Sequence, residues 1–430
     1  MAKLMNLALI SGSSRSCFID SSEIISLSDE SDGFEPIEDL SIKNCKNIII
    51  PKFKDHNTIV VQGFIGSTPD SKVMTLGRGG SDYSATLYAN YLSADKVTLY
   101  KEVNGLMTCD PRYVKNARVI SELHYREAAE LAYYGAKVLH PRSIIPLVSK
   151  GIPLSIKNTF DPYFEGTLIS NKVSPTTYPV KALTSMMGQC IINIEGKGML
   201  GVPGVSARVF GCLAQNDISV SLITQASSEA SICFIVSKED EVKALKALEK
   251  ELKYELAHEL IDRVKAESNV AIIAVVGLGM SGTKGVSARV FGCFYKEDIN
   301  VRAIAQGSSE LNISIVINEE DAIKALNAIH KEYSLHKIKV LDSKSKASSD
   351  LILYGFGQIG QTLTNQIVEQ TSYFSEKLDI DLPIIALCDS SGALISDTCD
   401  GFSSMDLDYA TEIKAKGEKF EPNHKALKAT

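Results

Sequence analysis

The nonapeptide Gly-Val-Ser-Ala-Arg-Val-Phe-Gly-Cys occurs twice, at Gly204–Cys212 and again 81 residues on at Gly285–Cys293. The same offset aligns Asp217-Ile218 with Asp298-Ile299, Gln225 with Gln306, Ser227-Ser228-Glu229 with Ser308-Ser309-Glu310, and Lys250-Glu251 with Lys331-Glu332. Chance does not place nine identical residues in register with so many further matches, so the chain holds two copies of one folding unit. Each copy reads strand, helix, strand, strand, helix. In the first, Ile191–Ile194 is a strand, Val205–Gln215 a helix, and Ser219–Thr224 with Ile232–Val236 a strand pair. A closing helix places Val242, Leu245, Leu248 and Leu252 on one face. The unit is βαββα with room for one more strand.

The flanks differ in kind. Residues 1–175 alternate strand-like and helix-like segments, as an α/β sheet domain does. Ile59–Val61 and Val73–Leu76 read as buried strands, Ser81–Leu92 as a helix and Lys96–Tyr100 as the next strand. His124–Tyr134 reads as a helix with Gly135 at its C-terminal cap. Leu4–Ile10 is too short for a signal or a membrane span and reads as a first helix or strand. Past the second repeat, 342–349 is polar and linker-like. Leu351–Tyr354 is a strand running into Gly355-Phe356-Gly357-Gln358-Ile359-Gly360, a helix over Gln361–Gln370 follows, and Ile384–Cys388 is a further strand before Asp389. The last twenty or so residues, rich in Lys and Glu, read as solvated or frayed. The expected fold class is α/β and α+β multidomain: a partial α/β domain over 1–175, repeat units over 180–265 and 266–341, the linker, and a Rossmann-type start over 350–430.

Bulk properties exclude several functions. A net charge of −7 and a pI near 5.6 argue against a nucleic-acid partner. No apolar run reaches the length of a membrane span. The nine cysteines are scattered and contain no C-x-x-C pair, so neither a disulfide framework nor a bound structural metal is expected. The chain reads as a cytoplasmic protein with reduced thiols.

Four motifs can carry chemistry. Gly77-Arg78-Gly79-Gly80-Ser81-Asp82 lies between strand and helix, where glycines let backbone N–H groups close on a phosphate and the helix N-terminus adds partial positive charge. Arg78 suits a carboxylate. Ser81 or Asp82 can also cap the helix, and the two roles are compatible. Lys101-Glu102-Val103-Asn104-Gly105, leading through Met107 to Asp110-Pro111-Arg112, follows a strand at the sheet edge where ligands bind, although Asn-Gly and Asp-Pro also simply turn the chain. In Gly135-Ala136-Lys137-Val138-Leu139-His140-Pro141-Arg142, Lys137 can reach a phosphate, and His140 reads as structural. Gly355, Gly357 and Gly360 form a G-x-G-x-x-G after a strand and before a helix, the dinucleotide-binding pattern.

GRGGSDYSA (77–85), VNGLMTCDPR (103–112), EAAELAYYGAKVLHPR (127–142) and IPLSIKNTF (152–160) together resemble aspartate kinases of the amino-acid kinase family. The resemblance implies that Arg78 holds the aspartate carboxylate, Asp82 organises cations, and Gly79, Gly80 and Ser81 line the site. It implies that Arg112 and Lys137 bind ATP phosphates and that Lys101, Glu102 and Met107 lie on the nucleotide side, with Mg²⁺ bound alongside ATP. The family has Thr-Asp or Lys-Asp at 101–102, Asp at Asn104 and often Tyr at Met107. It also opens on a Lys-Phe-Gly-Gly loop that this sequence lacks, so a chain truncated at both ends with very low turnover is expected. The repeats resemble ACT domains, which implies effector binding at Gln225 and Gln306 and at least a homodimer. Ser-Leu-Ile-Thr-Gln followed by Ser-Ser-Glu resembles threonine-sensitive enzymes. The last segment resembles the start of homoserine dehydrogenase in bifunctional aspartokinase–homoserine dehydrogenases. About 80 residues remain there, so NAD(P) binding and dehydrogenase activity are not expected. The competing expectation is a threonine-binding regulatory fragment without turnover.

Overall fold

Short β-branched runs broken by glycine and proline give the first 175 residues their strand–helix alternation. The computed structural model describes every residue except 29–34, 136–137, 173–177, 198–203, 226–230, 339–346, 372, 375–379, 391, 397–400, 421–427 and 430. The chain divides into two units, Met1–Val340 and Leu341–Thr430.

In the first unit, helix α1 (Ala2–Ser11) leads to β1 (Ser16–Ile19), which pairs in parallel with β2 (Thr58–Val61). β3 (Ile65–Ser67) and β4 (Val73–Thr75) form an antiparallel ribbon. These pieces are not the buried strands expected at 59–61 and 73–76. Each belongs to a two-stranded piece open on one side, so β2 is half-buried and Val73 is exposed. Helix α2 (Gly80–Leu92) follows, then β5 (Val97–Lys101), β6 (Glu122–His124), α3 (Tyr125–Tyr133), β7 (Leu154–Asn158) and β8 (Thr167–Ser170). The sheet order is β5-β7-β8-β6, with β5/β7 and β6/β8 parallel and β7/β8 antiparallel. Helix α3 ends at Tyr133 with Tyr134 closing it, and Gly135 follows with φ +108°, the positive-φ place expected of the capping glycine.

The repeats build one antiparallel sheet of six strands. The first contributes β9 (Ala182–Glu195), α4 (Val205–Gln215), β10 (Leu222–Gln225), β11 (Ser231–Ser237) and α5 (Glu241–Glu251). The second contributes β12 (Arg263–Val276), α6 (Val286–Lys296), β13 (Val301–Gln306), β14 (Asn312–Asn318) and α7 (Ala322–Glu332). The order is β10-β11-β9-β12-β14-β13. The missing strand of each unit is supplied by exchange. Arg263–Ser268 of β12 lies along Glu195–Cys190 of β9, and Ala182–Met186 of β9 lies along Val276–Ile272 of β12. Both central strands are therefore 14 residues long, and β12 runs through position 265/266 without a break.

Burial explains why each element sits where it does. On one sheet face Ile191, Leu222, Ile235, Ile272 and Ala274 pack with Leu131 and Tyr134 of the first lobe. On the other face, Val209, Leu213, Ala244 and Leu248 cover Ile192, Ile194 and Phe234, while Val290, Phe294, Leu326 and Ile329 cover Ile273, Ile313 and Ile315. Each such side chain contributes roughly 1.5–3 kcal/mol when fully buried. The face expected on α5 is shifted: Val242 is exposed and Ala244 is buried in its place. The repeated Arg-Val-Phe segment also acquires its reason. Arg208 donates from Nη2 to the Glu251 carbonyl at 2.8 Å, and Arg289 to the Glu332 carbonyl at 2.7 Å, so each arginine caps the closing helix of its own repeat.

In the second unit, β15 (Leu351–Tyr354) runs into α8 (Gln358–Glu369) and on to β16 (Ile384–Asp389), which lies parallel to β15; β17 (Gly392–Ile395) returns antiparallel. Of the C-terminal stretch expected to be solvated or frayed, the part up to Phe420 is packed, and 421–427 and 430 lie outside the described residues. Helix α9 (Ser404–Ala415) has a capping box between Ser403 and Asp406, and Leu407, Ala410, Ile413 and Phe420 are buried with Phe356 and Leu387.

Candidate active site

The chain must reverse between β4 and α2, and it does so through Gly77 and Gly79, with φ of +74° and +71°. Gly79 caps α2, and a side chain there would lie 2.5 Å from the Cβ of His140. His140 is the lid of this turn. Its Nδ1 accepts the Arg142 N–H at 3.3 Å, and burial, with Arg142 and Arg78 nearby, holds its pKa below the ordinary histidine value. Arg78 and Ser81 are exposed, and no carboxylate pairs with Arg78 among the described residues. Asp82, in the first turn of α2, is held by Lys101 at the end of β5, with Nζ 2.7 Å from each carboxylate oxygen. One ion pair thus locks the glycine loop to the sheet edge.

The second motif runs beside a cavity of about 580 Å³. One wall is loop: Val103, Leu106, Met107 and Arg112. The other is β9: Leu183, Ser185, Met186 and Gln189. Met107 is fixed by a bridge to Val119. Arg112 is largely exposed and donates from Nε to both oxygens of Asp110 at 3.0 Å. Glu102 is exposed and does not line the cavity, and Lys137 lies outside the described residues. The structure therefore brings Gly79, Gly80, Ser81, Asp82 and Lys101 together, and gathers Met107 and Arg112 at the neighbouring cavity.

Sequence reasoning missed the groups that join this lobe to the sheet. Glu127, fully buried, caps α3 by accepting the His124 N–H at 2.9 Å; it also accepts the Leu278 N–H at 2.7 Å and pairs with buried Lys181 at 3.1 Å. His330 Nε2 lies 3.0 Å from Thr108 Oγ1, and Asn327 donates to the Tyr113 carbonyl at 3.0 Å. His330 stands where the first repeat has Glu249, and that mismatch within the 81-residue register was the available signal.

Gln225 and Gln306 close the two edge strands, which approach each other as the sheet curls, and both glutamines are exposed. In the second unit Gly355 has φ +98°, Gly357 faces open space, and a side chain at Gly360 would lie 2.0 Å from the Gly355 carbonyl. Asp389 pairs with Lys414. Among the described residues no group of three or more His, Cys, Asp or Glu could hold a metal, and no helix is long and apolar enough to cross a membrane.

A model of the amino acid kinase family matches residues 1–158, and one of the ACT domain matches 192–252 and 273–333. Escherichia coli aspartokinase III, in a crystal structure with aspartate and ADP, is 32% identical, covers 77% of this chain and 72% of that one, and superposes with a TM-score of 0.65. The chain belongs to the aspartokinase family. The same enzyme with lysine and aspartate matches at 33% identity and a TM-score of 0.63. Among longer aspartokinases, the chloroplastic bifunctional aspartokinase/homoserine dehydrogenase 1 of Zea mays is 40% identical over 344 residues, 79% of this chain. The bifunctional enzyme of Haemophilus influenzae is 37% identical over 372 residues, 86% of this chain. The chain spans 36% and 44% of the lengths of those two relatives. This aspartokinase-family chain thus joins an amino acid kinase lobe to a tandem ACT sheet.

Proposed function

We propose that the chain is an aspartate kinase module that transfers the γ-phosphoryl group of ATP to the side-chain carboxylate of aspartate, giving 4-phospho-aspartate, and that threonine regulates it through the ACT sheet. The observation that carries this reading is the Gly77–Asp82 turn: left-handed glycines at a helix N-terminus beside Arg78, an exposed guanidinium without a carboxylate partner among the described residues. Arg78 binds and orients the aspartate carboxylate. The N–H groups at the start of α2 face the transferring phosphate, where positive potential offsets developing charge. Arg112, at the rim of a cavity large enough for a nucleotide, turns from Asp110 to the ATP phosphates, with Met107 along the base. Lys137 is assigned to the phosphates by family resemblance alone. Mg²⁺ bound by one carboxylate plus substrate phosphates is the usual arrangement, and Asp82 fits that donor set once Lys101 moves aside. When bound, the ion neutralises phosphate charge.

A second reading, a threonine-binding module with slow turnover, is favoured by one contact. Asp82 is held by both oxygens to Lys101, and releasing it adds to the barrier. A hydroxamate assay with aspartate and ATP separates the two readings. Turnover that Arg78→Ala lowers by roughly a hundredfold or more supports the kinase; a rate insensitive to Arg78→Ala sinks it. Threonine is assigned over lysine on the wording around Gln225 and Gln306, whose amides can both donate and accept. Calorimetry with each amino acid tests this. Heat from threonine that disappears in Gln225→Ala/Gln306→Ala supports the assignment, and heat from lysine alone overturns it. We further infer self-association through the ACT sheet, which sedimentation measures. The plant relatives are named as chloroplastic, so the proposed location is the cytoplasm or, as in those relatives, the chloroplast. Dinucleotide binding by the second unit is not proposed.

A further inference from the structure

We propose that helix α7 of the second repeat is a support of the nucleotide site, with His330 and Asn327 as positioning residues that hold the loop at 108–113. The inference rests on the reading of the neighbouring cavity as the nucleotide pocket. Thr108 is the knot. Its hydroxyl oxygen accepts the Arg118 N–H at 3.0 Å, and the same hydroxyl is hydrogen-bonded to His330 Nε2, also at 3.0 Å. Its carbonyl accepts the Leu183 N–H at 2.8 Å. One residue thus ties α7 to the loop wall of the cavity and to the β9 wall. Thr108 is 0% exposed and His330 3% exposed, so water cannot replace a bond lost between them, and an unpartnered polar group would remain buried. Burial also holds His330 neutral, with its pKa down to about 4. Asn327, one turn earlier on the same helix, pins the far end of the loop at Tyr113. Met107 and Arg112, the two loop residues assigned to the nucleotide, lie next to or between these anchors. The first repeat has no counterpart, because Lys246 and Glu249 occupy the equivalent positions and are exposed. Helix α7 therefore gives the second repeat a link to the nucleotide loop that the matching helix of the first repeat does not make.

The test is titration of the full chain with ADP, with circular dichroism to establish folding. His330→Ala, Thr108→Val and Asn327→Ala should each weaken ADP binding, the first two on the order of tenfold, while Thr108→Ser and Glu249→Ala stay within about twofold of the parent. Threonine heats should be unchanged in all of them, which a general loss of structure would not allow. If His330→Ala does not fold, Thr108→Val and Asn327→Ala carry the test. Parent-like ADP affinity in the folded anchor variants overturns the support role and leaves the kinase reading intact. A parent chain that fails to bind ADP overturns the kinase reading and this inference with it.

Discussion

The two repeats share a nonapeptide, a topology and an arginine cap, yet they meet the kinase lobe differently. The second is bonded to it at Leu278–Glu127, Asn312–Glu130, Asn327–Tyr113 and His330–Thr108. The first reaches it through apolar packing, through its opening strand, where Leu183 N–H donates to the Thr108 carbonyl at 2.8 Å and Thr184 Oγ1 to the Tyr134 carbonyl at 2.9 Å, and through a long bond from Tyr133 to the Ser221 carbonyl at 3.4 Å. At the equivalent positions the first repeat carries Lys197, Ser231, Lys246 and Glu249. The residues the repeats share build the fold, and the residues in which they differ decide whether the closing helix of a copy is bonded to the site. Identical scaffolds can thus do unequal jobs.

The comparison predicts unequal energetics. The largest effect belongs to the buried pair that anchors the second repeat at Leu278. Lys181→Met leaves Glu127 charged, buried and uncompensated, and should lower stability by about 3–5 kcal/mol in urea unfolding. A loss below about 1 kcal/mol would mean that the ion pair does not hold this joint.

Next comes a pH effect. The folded-state pKa of His330 is depressed to about 4, with His336 the nearest other titratable ring. The unfolded chain therefore takes up the proton first as pH falls. Stability should drop between about pH 6.5 and 4 by on the order of 3 kcal/mol, and this component should vanish in His330→Gln. Identical pH profiles for parent and variant would contradict a buried neutral histidine.

His330→Ala at neutral pH should cost roughly 1–3 kcal/mol, whereas Glu249→Ala, its counterpart, should stay within about 0.5 kcal/mol. Equal losses would erase the proposed asymmetry. The smallest effect is a symmetry control. Arg208→Ala and Arg289→Ala remove equivalent, partly exposed caps, and each should cost at most about 1 kcal/mol. A large difference between them would show that the repeats diverge in their scaffolds too.

Much of the architecture was legible because it is local. Period-two and period-3.6 patterns mark β9 through α7, and the repeat doubles every signal. The Gly77–Asp82 turn was legible because only glycine readily takes its left-handed backbone. Val73 and Val242 were misread for the complementary reason: an apolar side chain does not announce whether a second layer covers it, and here nothing does. The start of the Lys- and Glu-rich C-terminal stretch is packed where solvation was expected, because Ile413 and Phe420 among its charged residues suffice to dock it.

The duplication, read from sequence alone, determined two βαββα units and a glycine turn ahead of them, since identical segments with the same local preferences fold alike. It could not determine which strand completes which unit. That was decided by pairing across about ninety residues of chain, from Ala182 to Val276. Nor could it reveal that Asp82 meets Lys101, Glu127 meets Lys181, or Thr108 meets His330. Hydrogen bonds and ion pairs act over about 3 Å and leave no periodic trace in the chain. Only the packing of lobe on sheet brings such partners within reach.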